Sequence, residues 1–152
     1  MKAAPTLKGG LRIDIESALD WMVLRCIPYD ARAGGSDLTE RLAEPMAGSE
    51  GEEDWREFVL PDLRDAFNFQ LSTIEQALKE VEGDEETGEI HIAKEDAELW
   101  YGGINQAQLA LAARYDFSNV ERSEMPPGMR SAWFRSQAYF YIQSVLLEHV
   151  MK

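Results

Sequence analysis

The stretch Leu99–Phe117, LWYGGINQAQLALAARYDF, constrains the fold more than any other part of the chain. Helical residues advance by about 100° each. On that spacing Ala97, Trp100, Ile104, Ala107, Leu111 and Tyr115 share one narrow sector. The sector keeps its phase on both sides of Gly102-Gly103, which a broken helix has no reason to do. One continuous helix is expected, despite a cost of about 1 kcal/mol per glycine relative to alanine. Leu99, Gly102, Gly103, Gln106, Ala110 and Ala113 form a second seam of mostly small residues. Lys94, Glu98, Asn105 and Asp116 leave only a narrow polar wedge. A helix that is apolar or small on two sides sits centrally in a bundle. Gly102, Gly103, Ala110 and Ala113 are therefore read as a helix-packing seam, because glycine lets another backbone come close. A phosphate-cradling loop is excluded, since its glycines would lie between a strand and a helix start.

A second helix with apolar residues all round is expected from about Met129 to Val150. Trp133, Phe134, Tyr139, Phe140, Tyr141, Ile142, Val145, Leu146 and Leu147 surround its wheel. Either this helix is also central, or its outer face is a homodimer interface. Trp133, Tyr139 and Tyr141 are the candidate interface aromatics, because such rings have an apolar body and, in tyrosine, a hydroxyl that stays wet or finds a partner.

The rest of the chain supplies the elements around these two. Leu11–Ile15 alternates apolar and polar residues, as a half-buried strand does. Glu89–Ile92 does the same, and the two are expected to pair as a two-stranded ribbon. A helix should start near Glu16, with Leu19, Met22, Val23, Cys26 and Ile27 on one stripe, and stop at Pro28. A loop with Gly34-Gly35 follows. Ser36 or Asp37 would cap a short helix, Leu38–Ala43, ended by Pro45. Another helix begins near Glu52 and keeps its period to Val81, with either a kink or a junction at Leu60-Pro61. The predicted architecture is mainly α: one helical bundle of about five helices over residues 11–152, with a small ribbon at residues 11–15 and 89–92. Residues 1–10 are read as a flexible arm.

Composition bounds the function. The chain has 152 residues and can bury a core without metal or disulfide support. Cys26 is its lone cysteine. Acids outnumber bases 28 to 15, for a net charge of −13. That excludes a phosphate-backbone partner, which needs dense Lys and Arg. It disfavours anionic membranes for the same reason. No signal peptide or membrane-length apolar run is evident, so a cytoplasmic protein is expected. His91 and His149 are far apart, and no HExxH, GxxxxGK[ST], GxSxG or EF-hand pattern occurs. The pairs Glu16/Asp20 and Asp62/Asp65 sit at helix starts, where carboxylates complement the dipole. Asp84, Glu85, Glu86 and Glu89 read as a solvated turn. No catalytic residue, metal or cofactor is assigned. The polar groups that stand out are Asn105, Gln108, Arg114 and Gln143, which either line a pocket between helices or tie helices together.

The segment IHIAKEDAELWYGGINQAQLALAARY resembles the hallmark of an uncharacterised, mainly actinobacterial helical domain family. Trp100, Asn105, Leu109, Leu111 and Arg114 fall on its pattern, and SDLTERLAEP, DWREFVLPDLRDA and YFYIQSVLLEHV follow in the same order. Gln108 stands where that pattern has arginine. The resemblance carries no activity. It implies gene neighbours that include the adaptor of the Clp protease and a metallohydrolase, and through them a link to regulated proteolysis or protein modification. The expected function is a non-enzymatic regulatory domain acting through a protein partner. The alternative is a small-molecule-binding domain with a polar pocket between helices.

Overall fold

A computed structural model of the chain describes residues 1–33, 38–81 and 86–152. The Gly34-Gly35 loop, the Ser36 or Asp37 cap, and Asp84 and Glu85 of the acidic turn lie outside them. The elements run β1 (Lys2–Pro5), β2 (Leu11–Ile15), α1 (Ala18–Arg32), α2 (Leu38–Ala43), α3 (Glu52–Asp54), α4 (Leu60–Lys79), β3 (Gly88–Ile92), α5 (Ala97–Arg114) and α6 (Pro127–His149). A π-helical turn, Trp55–Val59, joins α3 to α4 without a break, so the described helices form five bodies.

The sheet has three antiparallel strands in the order β1-β2-β3, one more than the ribbon expected from the sequence. The pairing of β2 with β3 sets Leu11 against Ile92 and Ile13 against Ile90. All four of these side chains are buried, and Arg12 and His91 point the other way, as period-two alternation requires. The added strand comes from the arm. Lys2–Pro5 pairs with Asp14–Leu11, and a turn through Gly9 (φ +90°) connects them. The segment KAAP has no apolar alternation to announce a strand. Contacts from elsewhere hold it: the Met1 ammonium lies 2.9 Å from Glu16 and 3.0 Å from Asp20, and the Ala3 N–H donates to the Tyr141 hydroxyl. The Glu16/Asp20 pair also marks a helix start. Ser17 caps α1 by accepting from the Asp20 N–H, and Asp20 accepts from the Glu16 N–H.

Pro28 does not stop α1, which continues to Arg32. An interior proline costs about 3 kcal/mol. Burial on both sides of it outweighs that penalty: Ile27, Pro28 and Asp30 are all buried, and Asp30 is gripped from α6. At Leu60-Pro61 the helix continues, so the site is not a junction between two separate helices. Pro61 has no N–H for the carbonyl of Glu57, and the preceding turn widens so that the Leu60 N–H reaches the Trp55 carbonyl.

The core lies where the inner face of the sheet meets α5. Leu11, Ile13, Ile15, Ile90 and Ile92 join Trp100, Ile104, Ala107 and Leu111 in one cluster. α5 touches α1, α4 and α6 and is the central helix of the bundle. Among the described residues no helix is long and apolar enough to cross a membrane.

Candidate functional site

The glycine pair packs against α4. A Cβ on Gly102 would fall 2.5 Å from the Gln70 amide, and one on Gly103 would fall 2.5 Å from Cδ1 of Ile74. A methyl at either position would have to move the end of the Gln70 or Ile74 side chain, so the glycines let these two side chains of α4 lie against the backbone of α5. Gln106 closes the seam, donating from Nε2 to the Phe67 carbonyl (3.1 Å) and to Oε1 of Gln70 (2.8 Å). Ala110 is buried in line with it. Ala113 is exposed, about two turns past that last tie to α4, and does not belong to the seam.

Asn105, Gln108, Arg114 and Gln143 do not converge. Asn105 is exposed on α5. Gln108 is a clamp to α6: its Nε2 donates to the Ser136 carbonyl at 3.0 Å, and the Ser136 hydroxyl donates back to Oε1 at 2.8 Å. Exposed Arg114 lies over the ring of Tyr115, 5.3 Å from its centre. Gln143 is buried, and its Nε2 finds no hydrogen-bond partner among the described residues. Of the four, Gln108 is a structural tie and the others are scattered, so no inter-helix pocket is assembled from them.

Two open clefts of about 800 and 770 Å³ lie at opposite ends of the sheet instead, one beside the C-terminal end of α4 and the other beside the turn joining β1 to β2. Both reach Arg12 and His91. Arg12 is paired along its own strand with Asp14 at 2.9 Å, and the His91 ring lies 3.2 Å from Glu89. Among the described residues no group of three or more His, Cys, Asp or Glu could hold a metal ion.

The strongest polar constellation joins α1 to α6. Asp30, 2% exposed, accepts two bonds from Arg135, Nε at 2.7 Å and Nη2 at 3.0 Å. The Tyr139 hydroxyl donates to the same carboxylate at 2.7 Å and lies 3.3 Å from the Val23 carbonyl. Nη1 of Arg135 donates to the Ser131 hydroxyl at 2.8 Å. Ser131, Arg135 and Tyr139 are spaced i, i+4, i+8, so they line one edge of α6. Hydrogen bonding to Asp30 raises the pKa of the guanidinium. Burial, reinforced by the Asp30 charge, pushes the Tyr139 hydroxyl far above its usual value. Burial likewise raises the Cys26 thiol, one turn before Asp30. The phenol and thiol are thus held protonated, so the group is a charge-assisted latch rather than an activated nucleophile. One feature of the sequence foreshadows it: between Ser131 and Leu147 the single charged side chain is Arg135. A lone charge on an apolar helix requires a buried partner.

The candidate interface aromatics separate. Tyr139 is fully buried and belongs to the core and the latch, so it is not at a surface. Trp133 is half-buried beneath Arg122, whose guanidinium carbon is 4.7 Å from the ring centre. Tyr141 is exposed, with Phe134, Phe140 and Leu147 exposed on the same helix, the last three at 42, 55 and 48%. A family model described as a domain of unknown function, DUF2017, matches residues 9–149. No curated protein and no solved structure matches the chain.

Proposed function

We propose that this chain, which belongs to the DUF2017 family of domains of unknown function, is a helical regulatory domain that works through contact with another protein. One observation carries the reading. α6 turns Phe134, Phe140, Tyr141 and Leu147 outward on a molecule whose charged content is 28% and whose net charge is −13. Exposed apolar side chains scattered singly need no explanation, but a cluster on one helix marks a contact surface. The buried polar groups support the same reading, because Gln106, Gln108 and the Asp30 latch are used in holding helices together.

The finer proposal is that the partner belongs to regulated proteolysis. It rests on the family resemblance and its gene neighbours, and it makes the domain a cytoplasmic accessory to a protease system rather than a catalyst. Affinity capture from native extract tests both levels. The wild type retains a protein that a Phe140→Glu variant loses, across several salt concentrations. A wild type that retains nothing reproducibly, or a variant that retains the same protein equally, overturns the proposal. The small-molecule reading is favoured by the two clefts on the sheet, and a thermal-shift screen distinguishes it, since a bound metabolite raises the melting temperature by mass action.

A further inference from the structure

We infer that the outer face of α6 binds a second copy of this chain, in an antiparallel, two-fold symmetric pairing. The inference rests on the reading of that face as a contact surface and names its occupant. The face consists of Phe134, Gln137, Phe140, Tyr141, Ser144 and Leu147, all exposed and all uncharged. Their order is symmetric about the midpoint between Phe140 and Tyr141. Turning the helix end over end exchanges Phe140 with Tyr141, Gln137 with Ser144, and Phe134 with Leu147. In an antiparallel pairing Gln137 and Ser144, near the middle of the face, meet across the seam, and apolar side chains flank them on both edges. A two-fold contact brings the same patch of both copies together.

Charge points to the same occupant. Two copies that each carry −13 repel over most of their surfaces. Along Ser131–Leu147 the one charge, Arg135, is turned inward and paired with Asp30. α6 itself therefore sets no like charges against each other when two copies meet; β1, with exposed Lys2, borders the face where the Ala3 N–H donates to the Tyr141 hydroxyl. The size of the face fits too. With about 150–250 Å² per aromatic side chain, the half-exposed residues present roughly 400 Å² of apolar area, the centre of an interface of about 800 Å² per partner.

Sedimentation velocity of the full chain, from about 1 to 100 μM, tests the pairing. The wild type sediments at twice the chain mass as concentration rises. Phe140→Glu raises the dissociation constant about tenfold or more, because each substitution is felt at both copies of the contact. Its circular dichroism matches the wild type, and so does its urea midpoint at concentrations low enough that both are monomeric, since Phe140 is outside the core. The register is checked with two double variants. Gln137→Lys with Ser144→Lys opposes like charges and gives monomer. Gln137→Lys with Ser144→Glu opposes unlike charges and stays dimeric, whereas parallel helices would dissociate. A wild type that is monomeric throughout, or a dimer indifferent to Phe140→Glu, overturns the inference. A monomeric wild type that still captures a Phe140-dependent partner sinks the dimer alone and leaves the contact-surface reading standing. A Phe140-dependent dimer that captures no other protein keeps the pairing and overturns the proposal of a different protein partner.

Discussion

Replacing Gly103 with alanine sets two known effects against each other. Alanine is favoured over glycine within a helix by about 1 kcal/mol, so an isolated α5 would gain. In the bundle the new methyl lands 2.5 Å from Cδ1 of Ile74, a side chain with no exposure at all. Ile74 has nowhere to retreat, and overpacking of this kind costs about 1–3 kcal/mol. The expected net loss is about 1 kcal/mol, with a range from near zero to about 2. Removing the obstructing atom tests the cause. Ile74→Val deletes Cδ1, and the nearest remaining atoms, the Gln70 carbonyl oxygen and Ile74 Cγ1, lie at 3.6 Å, an ordinary contact. Alone, Ile74→Val costs about 0.5–1.5 kcal/mol for the lost methyl. In that background Gly103→Ala fills the space and becomes stabilising, so the two substitutions couple favourably by about 1 kcal/mol or more. Urea denaturation followed by tryptophan fluorescence gives the four midpoints, read at constant slope. If Gly103→Ala alone raises the midpoint by the full helical gain, or the pair is additive, contact with Ile74 is not what penalises a methyl at position 103.

Other outcomes follow from the same contacts. Gly102→Ala displaces the Gln70 amide and strains its bond from Gln106; the helical gain and the lost bond, each about 1 kcal/mol, nearly cancel in the urea midpoint. Arg135→Met strands the buried Asp30 carboxylate and costs about 3–5 kcal/mol, while adding Asp30→Leu recovers most of it, as a double-mutant cycle will show. Gln143→Leu removes a buried donor that has no partner among the described residues, and raises the stability read from the urea midpoint by about 1 kcal/mol. Cys26 and Tyr139 have folded pKa values above their unfolded ones, so their protonated forms favour the folded state. Stability from them is whole below the unfolded values, about 8.5 for the thiol and 10 for the phenol, and is lost as pH rises further. Tyr139→Phe with Cys26→Ala should flatten that alkaline decline in a pH series of urea midpoints.

Period and phase made much of this fold legible. The apolar sector of α5 could be read through its glycines because Trp100, Ile104 and Leu111 stay in register with Ala97. The pairing of β2 with β3 was legible from two short alternating segments. What escaped reading depends on partners distant in sequence. KAAP becomes a strand because Glu16, Asp20 and Tyr141 hold it, and Pro28 is tolerated because Asp30 is anchored 105 residues away by Arg135. For the candidate site, the sequence marks the amides on α5 as polar groups on an otherwise apolar helix. Their local pattern could not tell a clamp such as Gln108 from an exposed residue such as Asn105. Tyr139 was misplaced for a related reason: on a helix apolar all round, the wheel does not say which side is the inside.

That ambiguity gives the buried hydrogen bonds of α6 a further consequence. A cylinder coated with apolar side chains can roll about its long axis at little cost in hydrophobic burial. Two polar keys flank its buried side, Arg135 and Tyr139 toward α1 and Ser136 toward Gln108 on α5. Rotation by one residue position would pull both keys from their locks. These bonds thus choose which aromatic rings face water, and the identity of the outer surface is written in the polar residues of the inner one.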